Sequence, residues 1–170
     1  YPDAKVEQLA LPTPILQELE QRLILIYLGK PHSSSAVHEA VIRDMENIGP
    51  TAKPIEALRQ TAEASYRSLQ LGDFAGLGQA MVANTLGQRM LHPEMTSPAA
   101  ECVIKIGREF RVLGHKVNGA GGLGGSITLL TDESPQSKTE LIQAIENTDE
   151  NWKIIPVRLS KIGLQVQSNA

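Results

Sequence analysis

Cysteine is almost missing from this 170-residue chain, where Cys102 stands alone. No internal disulfide can staple the fold, nothing calls for an oxidising compartment, and a cytoplasmic setting is the default expectation. Aromatic side chains are scarce as well, with one Trp, three Tyr and two Phe, so Leu, Ile, Val and Ala have to fill the core. Long apolar runs are also lacking. The longest covers residues 23–28, whereas a membrane-spanning helix takes about twenty residues, and the start of the chain lacks the basic-then-apolar order of a signal peptide. Membrane insertion and export are not expected. Nor does one sign of charge dominate: sixteen basic against nineteen acidic side chains leave a net −3. Neither nucleic acid nor an anionic membrane has an electrostatic reason to bind, and the expected partner is a small molecule.

What is present is an ordinary globular composition, 41% hydrophobic and 21% charged, at a length that suits one domain. The chain starts without Met and reads as a domain of a longer protein. Residues 5–11 suggest a first irregular strand, stopped by Pro12 and Pro14, and residues 17–22 a polar connector. The run Leu-Ile-Leu-Ile-Tyr-Leu that follows, ended by Gly29-Lys30-Pro31, suits a central strand buried on both faces. Ser33, Ser34 and Ser35 offer cap hydroxyls to a helix carrying Val37, Val41, Met45 and Ile48, which ends at Gly49-Pro50. A second helix near Pro54 places Ile55, Leu58, Ala62 and Leu69 on one stripe. A third follows the Gly72-Asp73 break with Phe74, Leu77, Met81 and Val82 inward. A fourth opens at Ser97-Pro98 and carries Val103, Ile104, Gly107 and Phe110 to the core.

The period then changes. Residues 116–118 and 126–130 read as strands joined by a loop, residues 119–125, with five glycines. Ser137 and Glu140 have the spacing of a capping box ahead of a helix with Leu141, Ile142 and Ile145. Residues 152–159 and 162–166 suggest a closing hairpin. Strands grouped at both ends with helices between them imply an α+β fold, specifically a ferredoxin-like two-layer sandwich, an antiparallel sheet with helices on one face.

The glycine segment is the most unusual feature, because residues without Cβ cost backbone entropy unless the loop takes positive φ or lets another group come close. Gly119, Gly121 and Gly124 formally spell Gly-x-Gly-x-x-Gly. The dinucleotide fingerprint, however, needs a helix directly after the loop, and Ser-Ile-Thr-Leu-Leu reads as a strand. Without Gly-Lys-Ser/Thr it is not a Walker loop either. Two readings remain, a bulged hairpin packed under a helix and a loop that faces a ligand. Lys30 and the serine turn sit where a strand meets a helix, a place that favours an anion but also one of ordinary capping. His32, His38, His92 and His115 show no metal-ligand spacing, so no metal site is expected. Cys102 has no basic neighbour in sequence to activate it.

The order of parts resembles the C-terminal domain of the galacto-, homoserine, mevalonate and phosphomevalonate (GHMP) kinases. The residues that carry the likeness are the strand leading into Gly-Lys-Pro-His-Ser-Ser-Ser, the helices after it, and Gly-His-Lys-Val-Asn-Gly-Ala-Gly-Gly-Leu-Gly-Gly. The last segment is similar to that superfamily's third motif, Lys-x-x-Gly-Ala-Gly-Gly-Gly-Gly, with Leu123 in place of a glycine. Asn84 and the loop over residues 91–98 point to the heptose phosphate and fucose type of sugar kinase. Pro31-His32 departs from the commoner Ser-Arg or Thr-Arg.

The resemblance implies that Gly119, Ala120, Gly121 and Gly122 face the phosphates of a nucleotide through free amides, and that Lys30, Ser33, Ser34 and Asn84 face a sugar or sugar phosphate. It implies ATP and magnesium as cofactors of the full-length parent, with none held tightly by this chain. The superfamily's phosphate loop, catalytic Asp and associated Lys belong to an N-terminal domain of which this sequence shows no trace. No catalytic residue is therefore expected here, and the isolated chain is expected to be inactive. The alternative is a free-standing ferredoxin-like module that binds or regulates without catalysis.

Overall fold

A computed structural model describes residues 9–30, 34–46, 53–122 and 124–160. The chain opens with helix α1 (Thr13–Arg22) and strand β1 (Leu23–Tyr27), followed by helices α2 (Ser34–Glu46), α3 (Lys53–Leu71), α4 (Phe74–Leu91) and α5 (Pro98–Glu109). Strands β2 (Gly114–Asn118) and β3 (Ser126–Leu130), helix α6 (Pro135–Glu146) and strand β4 (Lys153–Ile155) complete it. The sheet runs in the order β2-β3-β1-β4 with every pair antiparallel. Read as β-α-β-β-α-β with four helices in the first crossover, this is the α+β, ferredoxin-like two-layer arrangement expected from the sequence.

Residues on one face of the sheet, Ile24, Ile26, Val117, Ile127 and Leu129, are nearly or fully buried. They meet Ala100, Val103 and Ile104 of α5, Leu141 and Ile145 of α6, and Trp152. Each fully buried aliphatic side chain stabilises the fold by about 1.5–3 kcal/mol relative to exposure, so this interface is the main core. A second cluster joins Phe74, Leu77 and Met81 of α4 to Leu130, with Ile15 and Leu19 of α1 packed against it.

Helix α4 lies along the outer edge of β2, and two glycines allow the approach. A Cβ on Gly114 would stand 2.4 Å from the Gly78 Cα, and one on Gly78 would stand 2.2 Å from the Leu113 carbonyl oxygen. The fully buried Thr85 then serves the strand edge: its Oγ1 accepts from Val117 N at 3.2 Å and lies 3.4 Å from the His115 carbonyl. Backbone groups that a neighbouring strand would have satisfied are met by one hydroxyl.

Several sequence expectations need correction. Residues 17–22 are not a connector but most of α1, with Pro12 at its N-cap and Pro14 in its first turn, where the missing amide costs no helical hydrogen bond. Residues 9–11 form no strand, and residues 5–8 lie outside the described residues. β1 is buried on one face and half-buried on the other. In α3 the buried positions are Thr61 and Ser68, while Ile55 and Ala62 are exposed. The cap of α6 is Ser134, whose hydroxyl accepts from Ser137 N, and not Ser137 itself. The strand expected over residues 152–159 shrinks to β4, ended by Pro156, and residues 162–166, like Ile48 and Gly49-Pro50, fall outside the described residues.

Candidate functional site

The glycine segment is the hairpin loop between β2 and β3, at the end of the sheet where Asn118, Ser126 and Tyr27 stand in register. Two stretches distant in sequence meet it. On one side Gly125 N donates to Lys30 O at 3.3 Å and Leu28 N to Gly125 O at 2.9 Å. The backbones are so close there that a Cβ on Gly124 would stand 2.1 Å from the Lys30 carbonyl. On the other side Gly121 N donates to Met95 O at 3.0 Å and Gly122 N to Glu94 O at 2.9 Å. Met95 belongs to a single 3-10 turn, Pro93–Met95, that links α4 to α5.

The amide of Gly124 is also taken, by Gly121 O at 3.0 Å. Of the four amides expected to be free, those of Gly121 and Gly122 are committed to carbonyls of the chain itself, as are the neighbouring amides of Gly124 and Gly125. Ala120 is buried with Val37 of α2 and Met95, which sets the first turns of α2 beside the loop. Gly119 alone of the hairpin's first residues points outward, with φ 67° and nothing within 4 Å of where a Cβ would be.

Lys30 is exposed at the rim. Asp149 has a carboxyl held below its ordinary value by hydrogen bonds from the Asn151 amide and side chain, with the Lys30 charge adding to them. Ser34 is the first residue of α2, and Ser33 lies outside the described residues. Asn84 faces another helix: its Nδ2 donates to Thr61 Oγ1 of α3 at 2.8 Å. The structure thus brings Lys30 and the four residues Gly119, Ala120, Gly121 and Gly122 to one rim, while the Asn84 amide works between α3 and α4.

Three further polar residues belong to the same rim, and two of them, His92 and Glu94, lie in the loop over residues 91–98 that carries part of the resemblance. Gln88 is 7% exposed, donates through Nε2 to Gly119 O at 2.9 Å, and buries an Oε1 with no partner among the described residues. His92 Nδ1 accepts from Glu94 N at 3.2 Å, and the Glu94 side chain is exposed. Gln88 was not singled out by the sequence, and His92 and Glu94 were singled out only through that loop.

Behind the rim, on the core face of β2, His115 is pushed down to about 4, first by burial and then by the positive charges of Arg108 and Arg89. Burial also lowers Lys116, whose ammonium donates to Val117 O at 3.0 Å. Among the described residues no group of three or more His, Cys, Asp or Glu side chains is placed to hold a metal, and no helix is long and apolar enough to cross a membrane.

No family model matches the chain, and no curated protein does. Solved structures do match. Mevalonate kinase of L. major, determined with R-mevalonate, superposes with a TM-score of 0.65 at 20% identity, over 78% of this chain and 41% of that one. The D-glycero-D-manno-heptose 1-phosphate kinase of Bacteroides thetaiotaomicron gives 0.56 at 20% identity over 89% and 37%. Phosphomevalonate kinase of Streptococcus pneumoniae gives 0.61 at 13% over 78% and 40%. The chain therefore spans about two fifths of the length of these structures. At such identities the likeness is one of fold, and the fold is one found in kinases of small molecules.

Proposed function

We propose that this chain is the C-terminal, substrate-side domain of an ATP-dependent GHMP kinase, working in the cytoplasm and phosphorylating a hydroxyl of a sugar or sugar phosphate. The observation that carries the reading is the glycine hairpin. A loop similar to the superfamily's third motif joins β2 to β3 and gathers Lys30 and the Pro93–Met95 turn to one rim, within a fold shared with small-molecule kinases.

ATP and magnesium do not fit the described residues by themselves. Four hairpin amides are already bonded internally, and no carboxylate cluster is placed for a metal among the described residues. The nucleotide cradle and the acid-base groups are assigned to an N-terminal domain. What this chain's residues supply is placement. The hairpin forms a wall, since the amides of Gly121, Gly122 and Gly125 each hold a neighbouring segment, and phosphoryl transfer depends chiefly on positioning and charge stabilisation. The Lys30 ammonium offers the rim its cation, beside the start of α2.

The test is phosphotransfer by the full-length protein from ATP to sugars and sugar phosphates. Product in the presence of ATP and magnesium supports the reading. A full-length protein whose upstream sequence lacks a Gly-Leu-Ser-Ser-Ser-Ala-type loop, and that transfers no phosphate, overturns it in favour of the non-catalytic module.

A further inference from the structure

The two halves of the glycine hairpin have different surroundings. Gly124 and Gly125 rest on the Lys30 backbone, next to an exposed ammonium. Gly119 to Gly122 rest on the last turn of α4 and the turn after it, through Gln88, Glu94 and Met95.

That second segment carries hydrogen-bonding capacity which the chain leaves unused. The Gln88 Oε1 is buried without a donor among the described residues, and a buried acceptor left unpaired is unfavourable. His92 accepts on Nδ1, which leaves a hydrogen on Nε2 to donate. The Glu94 carboxylate is exposed and makes no hydrogen bond or ion pair among the described residues. A donor and a charged acceptor two residues apart suit adjacent hydroxyl groups, since each hydroxyl both gives and takes a hydrogen. The same carboxylate repels a phosphate, which leaves the Lys30 end for any anionic group.

Resting on the kinase reading above, we propose that the substrate lies along the hairpin with its hydroxyl groups against His92 and Glu94 and its anionic group against Lys30. Gln88 is the positioning residue: it fixes the Gly119 carbonyl, and its Oε1 accepts from a hydroxyl or a water that enters with the substrate. The polyol is read by the turn after α4.

The experiment uses the full-length protein with L-fucose, which carries hydroxyls alone, and D-glycero-D-manno-heptose 1-phosphate, which adds a phosphate. For each, KM is measured, or the inhibition constant if the compound is not turned over. Glu94→Gln and His92→Gln should weaken both sugars about tenfold to a hundredfold, the usual effect of losing a hydrogen bond to a polar or charged group, with the KM for ATP unchanged. Gln88→Met should raise the sugar constants and spare that for ATP, whereas a merely loosened hairpin would raise both. Lys30→Ala should weaken the heptose phosphate alone. Sugar constants within twofold of wild type in the Glu94 and His92 variants, or equal loss of both sugars with Lys30→Ala, overturn this placement and leave the kinase reading standing. Failure of the wild type to transfer phosphate to any sugar or to bind either probe overturns both.

Discussion

Single residues in the hairpin differ sharply in what they tolerate. Gly119 has open space around its missing side chain but a φ of 67°, so Gly119→Ala should cost about 1–2 kcal/mol from backbone strain alone. At Gly124 the added carbon would stand 2.1 Å from the Lys30 carbonyl, and Gly124→Ala should cost about 3 kcal/mol or more because backbone has to move. Urea denaturation of the two variants separates them. The density of glycines was visible in the sequence, but the carbonyls they lie against, Lys30, Glu94 and Met95, are 26 or more positions away and leave no local trace. His115 offers a test by pH. Its folded value of about 4 lies below the ordinary 6.5, so between those values the unfolded chain takes up a proton that the folded chain refuses. The stability it contributes is complete above pH 6.5 and falls as the pH drops toward 4, by on the order of 2–3 kcal/mol. His115→Gln should flatten that part of the stability profile, measured as the difference from wild type in denaturation midpoints.

At the scale of elements, the parts legible in the sequence are those whose apolar residues face the core. β3 keeps its expected bounds, with Ile127 and Leu129 alternating inward, and α5 opens at Ser97-Pro98 with Val103, Ile104 and Gly107 inward as expected, but it ends at Glu109, short of the expected end near Leu113-Gly114. α1 was misread since Gln17, Glu18, Glu20 and Gln21 dominate its composition, and its two prolines mark a helix start as readily as a strand end. α3 is the helix expected near Pro54, and of its stripe Leu58 meets Gly87 and Leu69 packs on the second cluster, while Ile55 and Ala62 stay exposed because much of the contact with α4 is made by polar groups such as Thr61 bonded to Asn84. The α4–β2 contact was equally hidden, since no pattern announces that a threonine will serve a strand edge. Thr85→Val keeps the shape and removes the bonds to Val117 and His115, and leaving that amide buried without an acceptor should cost about 1–3 kcal/mol. Thr85→Ser should recover most of it in the same denaturant titration.

For the whole molecule, the bonded hairpin and the lack of a described carboxylate cluster predict that the isolated chain transfers no phosphate and binds ATP weakly. Calorimetric titration with ATP and magnesium should show no micromolar event, and one that appeared would place the nucleotide site in this chain. The helix laid along β2 has a further effect. An unpaired strand edge is a template for strands of other molecules, and here α4 lies against the β2 edge, while among the described residues the other edge is a three-residue strand that stops at Pro156. The native sheet therefore offers little purchase for aggregation. That protection depends on the Gly78–Gly114 contact staying closed, so lifting α4, well short of global unfolding, is the step that would make the protein sticky.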